Sequence, residues 1–153
     1  MPLITYNERA WAMDLASIGN NFAGKNLDIL SRVSGEGGLK VGGRTLFPDL
    51  LIHDKEDNVL IGVELKFPDT QSDDLDLLEN MHVKAMSLGL NHGLSWNGND
   101  AILWKLEPGK KPVICKKWSL NQQISRANFY QNREETFILF EEIMSDLEQF
   151  LAT

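Results

Sequence analysis

Residues 46–66 read LFPDLLIHDKEDNVLIGVELK and contain two apolar runs with a short polar segment between them. The runs are Leu46–His53 and Val59–Lys66, and the polar segment covers residues 55–58. Two apolar runs of strand length joined by a few polar residues are typical of a β-hairpin with a four-residue loop. The stretch therefore predicts two antiparallel strands whose pairing is set by the position of the loop.

This pairing places Asp49 directly opposite Glu64. Directly opposite residues share one face of a sheet, with their Cβ atoms about 4.5–5.5 Å apart. Two carboxylates at that distance repel unless a cation lies between them, and Mg²⁺ is a hard ion that prefers oxygen ligands. Lys66 lies two residues beyond Glu64, so strand alternation directs it to the same face. The alternate residues are expected to face a core: Val59, Ile61, Val63 and Leu65.

A solvent-exposed ion pair is the alternative interpretation of Glu64 and Lys66, but the apolar residues around them favour a partly buried site. Pro48-Asp49 together with Glu64-Leu65-Lys66 resembles the PD-(D/E)xK motif of the restriction-endonuclease-like nuclease superfamily. The segment His92–Trp104, HGLSWNGNDAILW, also resembles the strand pair after the second helix in nuclease domains of large restriction enzymes. Those enzymes are the type I, type ISP and fused type II groups, in which the nuclease domain precedes other domains.

The resemblance implies an α/β fold with a mixed central sheet flanked by helices, in the order αβββαβββα. It also implies a nuclease domain over residues 1–130, followed over 131–153 by an acidic amphipathic helix that packs on the domain or leads out of it. Periodicity and turn residues predict the other elements. The expected helices cover residues 7–19, a segment after Asp69 as far as Leu88, and the region of Phe137 to Leu151; the expected strands cover 27–33, 93–96, 101–106 and 113–117; residues 34–43 are glycine-rich and are predicted to form a loop.

The activity that the resemblance implies is Mg²⁺-dependent cleavage of DNA, with Mn²⁺ able to substitute. Asp49 and Glu64, together with the backbone carbonyl of Leu65, would hold the metal. Lys66 would position or deprotonate the attacking water, or stabilise the developing charge. Many relatives add a carboxylate from the first helix, for which Glu8 is the candidate. The alternative for Glu8 is that its charge only favours the helix N-terminus.

Three basic residues are candidates for contact with DNA, namely Lys40 and Arg44 in the glycine-rich segment and Lys84 on the helix after the motif. The glycine-rich segment lacks the phosphate-loop pattern, so a loop beside the substrate is favoured over a nucleotide site, with a plain linker as the alternative. For Lys84 a solvated helix face is favoured over contact with the scissile phosphate. Trp104 and Trp118 fit either strand-core positions or stacking on bases, the core being favoured.

Composition limits the function further. The chain has 153 residues, enough for one domain, and its single cysteine excludes an internal disulfide framework and fits the cytoplasm. No apolar stretch is long enough to cross a membrane, so no membrane partner is expected.

The 22 acidic residues outnumber the 15 basic residues, and the net charge of −7 disfavours unaided binding to DNA. Target recognition is therefore expected in further domains or subunits of a restriction or defence complex. The alternatives to this function are a non-catalytic module with a nuclease fold and a stand-alone resolvase or repair nuclease.

Overall fold

The computed structural model describes residues 6–35, 40–41, 44–45 and 48–153, with only the backbone described for 40–41 and 44–45. Its α-helices are α1 (Glu8–Asn26), α2 (Leu75–Ser87) and α3 (Arg133–Leu151), the last preceded by a 3₁₀ turn at Tyr130–Asn132. Its strands are β1 (Leu30–Gly35), β2 (Lys40–Val41), β3 (Arg44–Thr45), β4 (Leu50–Asp54), β5 (Val59–Leu65), β6 (His92–Trp96), β7 (Asp100–Lys105) and β8 (Val113–Ser119). None of the described helices is both long and apolar enough to cross a membrane.

Six strands form one sheet in the order β1-β4-β5-β6-β7-β8, and β2 and β3 form a separate two-stranded ribbon. The β5–β6 pair is parallel, and the other four pairs of the main sheet are antiparallel. A parallel pair needs a crossover connection, which α2 supplies. Helices α1 and α3 share the core on one face, and α2 packs on the other. The predicted α/β class, with a mixed sheet flanked by helices, is confirmed.

The larger core lies between the sheet and helices α1 and α3. Trp11 is fully buried there, with its ring centroid 4.9 Å from that of Trp96 and its indole N–H donating to Thr136 Oγ1 at 3.0 Å. The apolar stripe of α3 also enters this core, because Phe140 and Met144 are completely buried. This stripe is thus covered by the chain's own sheet and first helix.

Helix α1 begins as expected and ends later than expected. Asn7 caps it by accepting a hydrogen bond from the Ala10 N–H, but the helix continues seven residues past its predicted end at Gly19. A Cβ on Gly19 would lie 2.6 Å from Val33 Cγ2 and 2.9 Å from Phe140 Cε2. This glycine therefore allows close packing against β1 and α3 and does not end the helix.

The loop predicted for residues 34–43 is partly wrong. Ser34 and Gly35 extend β1, where they pair with Leu51 and Leu50 of β4, because β4 offers backbone partners beyond the predicted strand end. The predicted strand start at residue 27 is also too early. The backbone N–H groups of residues 28–30 donate instead to the Glu148 carboxylate of α3.

The central hairpin has the predicted register. Leu50 pairs with Val63 and Ile52 pairs with Ile61, as a loop at residues 55–58 requires. The register then shifts by one residue, so that His53 pairs with Val59. One extra residue on a strand inverts the faces of the residues beyond it. Val59 consequently packs beside α2 rather than in the larger core, and the prediction for its face was wrong.

Candidate active site

Asp49 and Glu64 meet at one end of the β4–β5 pair. Asp49 immediately precedes β4, and its Oδ2 accepts a hydrogen bond of 2.7 Å from the backbone N–H of Leu65. This bond ties Asp49 across to β5 at the residue after Glu64. The Asp49 charge in turn acts on the Glu64 carboxylate. The structure therefore brings together the two carboxylates that the hairpin register places opposite each other.

Glu64 is buried, with 3% of its surface exposed. Burial raises the pKa of Glu64 to about 7, with a further contribution from the Asp49 charge, while the charges of Lys84 and Lys66 oppose the rise. The buried Oε1 of Glu64 forms no hydrogen bond of good geometry within the described part of the chain, but the Lys84 Nζ lies 3.0 Å from it. A buried carboxylate oxygen in this state is costly unless a cation compensates it.

Lys66 directly follows β5 and is half-buried. Its backbone N–H donates to the Trp96 carbonyl at 3.0 Å, which continues the β5–β6 pairing past the end of the strand. Its ammonium charge opposes the rise in the pKa of Glu64, and the pKa of Asp69 is lowered by its hydrogen bond from Arg126 with a smaller contribution from Lys66. The charge of Lys66 thus acts on Glu64 and on Asp69.

Lys84 contributes a second cation from helix α2, which packs on the face of the sheet opposite to α1 and α3. It lies in the last turn of α2, and its Nζ is 3.0 Å from Glu64 Oε1, with 23% of the side chain exposed. Helix α2 is capped by Asp74 and buries Met81 and Ala85 against the sheet, which holds Lys84 over the end of β5. The favoured interpretation of Lys84 as part of a solvated helix face is therefore wrong, because its ammonium pairs with a buried carboxylate.

Glu8, Lys40 and Arg44 are the other candidate residues predicted from the sequence. Among residues 6–35, 40–41, 44–45 and 48–153, no group of three or more His, Cys, Asp or Glu side chains could hold a metal, so Glu8 does not join Asp49 and Glu64. The charge of Glu8 acts instead on Arg126, because α1 begins beside the segment that carries this arginine. For Lys40 and Arg44 the structure describes backbone only, in β2 and β3, and their side chains lie outside the described part.

Arg126 is a residue of this region that sequence reasoning missed. Its Nε and Nη2 lie 3.1 Å from the two carboxylate oxygens of Asp69, and its guanidinium is 4.9 Å from the centroid of the Phe67 ring. Phe67 directly follows Lys66, so Arg126 lies at the rim of the candidate site. It lies in a polar segment without a motif, and no local pattern marks its position.

The segment between β5 and α2 is held on the end of β6. Ser95 Oγ donates to the Ser72 carbonyl at 2.8 Å, and Asn97 Nδ2 donates to the Thr70 carbonyl at 2.8 Å. These bonds attach the chain that follows Lys66 to the strand beside β5. Lys66 therefore lies between strand β5 and a segment that is hydrogen-bonded to β6 and to the residue after it.

Trp104 and Trp118 are structural. Both are buried, at 5% and 6% exposure. The indole N–H of Trp104 donates to Ser95 Oγ at 2.9 Å, and that of Trp118 donates to Asp146 Oδ2 at 2.8 Å. Neither ring is available to stack on a base, which confirms the favoured core interpretation.

No protein-family model matches the chain, and no curated protein matches it. Its structure is similar to the crystal structure of the type IIG restriction endonuclease BpuSI, with a TM-score of 0.62 and 16% sequence identity. The similarity covers 97% of this chain and 17% of that enzyme, so the chain spans less than a fifth of the length of BpuSI. At this level of identity the likeness concerns the fold: the chain has a six-stranded mixed sheet flanked by helices, similar to the structure of a restriction endonuclease.

Proposed function

We propose that this chain is a metal-dependent nuclease domain that hydrolyses phosphodiester bonds of DNA. The observation that carries the proposal is the meeting of Asp49 with the buried Glu64 beside two lysines, Lys66 and Lys84. Two carboxylates and two cations in one partly buried site suit a reaction in which a metal ion and a charged phosphate are handled together.

The residues present fit Mg²⁺. Glu64 contributes a buried carboxylate, and the neighbouring Asp49 adds a second negative charge beside it. Mg²⁺ is commonly held by one or two carboxylates and keeps several waters or phosphate oxygens as its other ligands. Asp49, Glu64 and the backbone carbonyl of Leu65 would hold it, and Mn²⁺ would substitute. When bound, the ion supplies a water of lowered pKa and offsets negative charge on the phosphate.

The lysines act on the substrate side. The Lys66 ammonium has three N–H donors and no acceptor, so it orients a water or a phosphate oxygen and stabilises negative charge that develops there. In its unprotonated form it would take the proton of the attacking water. Lys84 contributes a second positive charge close to Glu64, and Lys40 and Arg44 are proposed to contact the DNA backbone.

DNA is the proposed substrate, supported by the likeness to a protein named a restriction endonuclease. The net charge of −7 supports a domain that receives DNA from elsewhere, because affinity for duplex DNA comes mainly from Lys and Arg contacts to phosphates. We therefore propose that target recognition belongs to further domains or subunits of a restriction or defence enzyme.

Nicking of supercoiled plasmid tests the proposed function. The chain is expected to produce open-circular DNA with Mg²⁺ or Mn²⁺ and none with EDTA, and Glu64→Gln is expected to be inactive. Asp73→Asn is a matched control, because it removes one exposed carboxylate in the segment before α2. If the folded chain fails to nick DNA at high protein concentration with either metal, the catalytic proposal is wrong and the non-catalytic module is supported.

A further inference from the structure

Among the ion pairs of the described residues, the pair between Lys84 and Glu64 is unusual because both of its partners are largely shielded from solvent. The side chains are 23% and 4% exposed, whereas the pair between Arg32 and Asp57, for comparison, has exposures of 48% and 67%. Charges withdrawn from water interact more strongly than exposed ones. The Lys84 ammonium is therefore a substantial part of the electrostatic environment of Glu64.

The same carboxylate is proposed to bind the metal. Mg²⁺ lies about 2.0–2.1 Å from its oxygen ligands. The Lys84 Nζ lies 3.0 Å from Glu64 Oε1. A divalent ion bound to that oxygen would lie at most about 5 Å from the ammonium. At this distance the doubly charged ion and the singly charged ammonium repel each other strongly.

The charge balance of the site, like this repulsion, opposes the binding of a divalent ion beside Lys84. Asp49 and Glu64 contribute two negative charges when ionised, and Lys66 and Lys84 contribute two positive charges. The four side chains are then neutral as a group without any bound ion. A divalent ion added to this group leaves it with an excess of two positive charges.

We propose that Lys84 is the resident counter-cation of the metal-free site and competes with the divalent ion for Glu64. This inference rests on the proposed function, since it concerns the same metal site. Lys84 lowers the affinity of the free protein for Mg²⁺, and binding of the ion releases the Lys84 side chain from Glu64. Lys84 is thus a positioning residue that regulates how readily the site takes up metal.

Calorimetric titration with Mg²⁺ alone, at pH 8.5 so that protons compete little for Glu64, tests this competition. The wild-type chain is compared with Lys84→Met, which removes the charge, and Lys84→Arg, which keeps it. Lys111→Met is the matched control, because it removes an equal charge from an exposed loop position. Lys84→Met is expected to bind Mg²⁺ about tenfold more tightly than the wild type. Lys84→Arg and Lys111→Met are expected to stay within about twofold.

A second measurement uses the wild-type chain, so it does not depend on the folding of a variant. In protein labelled with ¹³C-lysine, the ε-CH₂ resonance of Lys84 is expected to move towards the position of exposed lysines as Mg²⁺ is added. Unchanged or weaker Mg²⁺ binding by folded Lys84→Met overturns the competition. So does a Lys84 resonance that stays in place while the wild type saturates with metal. If the wild type and every variant fail to bind Mg²⁺ or Mn²⁺, the proposed function itself fails.

Discussion

Asp49 accepts a hydrogen bond of 2.7 Å from the backbone N–H of Leu65, so one carboxylate of the candidate site is attached to the strand that carries the other. The bond gives Asp49 a structural role in addition to its proposed role as a metal ligand. The two roles are separable by substitution, because asparagine keeps an acceptor oxygen and alanine does not.

Asp49→Asn is expected to abolish plasmid cleavage while leaving the free energy of unfolding unchanged or slightly higher without metal, because one of two repelling charges is removed. Asp49→Ala is expected to abolish cleavage and to lower the free energy of unfolding by about 1–3 kcal/mol, because the Leu65 N–H loses its partner. Urea denaturation in EDTA measures the difference. Equal stability of the two variants would contradict the structural role of the bond.

The metal-free chain is expected to lose stability as the pH rises from 5 to 8. The pKa of Glu64 is about 7 in the folded chain against an ordinary value of 4.5, so the folded state binds more protons than the unfolded state between these values. Unfolding free energy therefore falls with rising pH in this window, by at most about 3 kcal/mol for this one group.

Urea denaturation in EDTA at pH 5 and pH 8 measures the loss, and Glu64→Gln is the control because it cannot titrate. The difference between the two pH values is expected to be smaller in the variant than in the wild type. An identical pH dependence in both proteins would show that the folded Glu64 does not hold a proton at pH 5–7.

Lys66→Ala is expected to lose cleavage and to bind Mn²⁺ at least as tightly as the wild type, because an ammonium group is not a metal ligand and its removal takes a positive charge from the site. Calorimetric titration with Mn²⁺, beside a nicking assay on the same preparation, measures both properties. Loss of metal binding in a folded Lys66→Ala chain would mean that Lys66 acts by shaping the metal site.

Two glycines of α1 offer a test of the packing. Gly19→Ala is expected to lower the free energy of unfolding by about 1–3 kcal/mol, because its Cβ would lie 2.6 Å from Val33 Cγ2. Gly24→Ala is the matched control in the same helix, with nothing within 4 Å of its Cβ, and is expected to raise stability by about 0.5–1 kcal/mol. Thermal denaturation of both variants gives the sign of each effect. A stabilising Gly19→Ala would contradict the close approach of α1, β1 and α3.

Binding of the chain to random duplex DNA is expected to be weak, with a Kd of roughly 10⁻⁴–10⁻⁶ M at physiological salt. The net charge is −7, and the basic strip at residues 105–117 is partly neutralised, since Lys110 lies 3.0 Å from Glu107 and Lys116 lies 3.6 Å from Asp146. Fluorescence anisotropy at several salt concentrations measures the affinity. Nanomolar binding with preference for one sequence would show that recognition resides in this domain.

The acidic helix over residues 131–153 is predicted to pack on the domain or to lead out of it, and an exposed apolar stripe on it would favour a neighbouring domain. The structure instead buries Phe140, Met144 and Leu147 against the chain's own sheet and α1. The expectation of further domains or subunits therefore no longer draws support from this helix and depends on charge and on the likeness to a longer enzyme.

Local sequence patterns predict the α/β class, the hairpin register and the proximity of Asp49 to Glu64. These follow from short-range rules, because loop position sets which residues of a hairpin pair and strand alternation sets which of them share a face. Three features could not be predicted in this way, namely the ion pair of Lys84 with Glu64, the pairing of Arg126 with Asp69 and the position of Gly19 inside a helix. Each of these depends on how a helix or a distant segment packs on the sheet. The parallel β5–β6 pair and the burial of large apolar surfaces set that packing, and no local pattern in the sequence reports it.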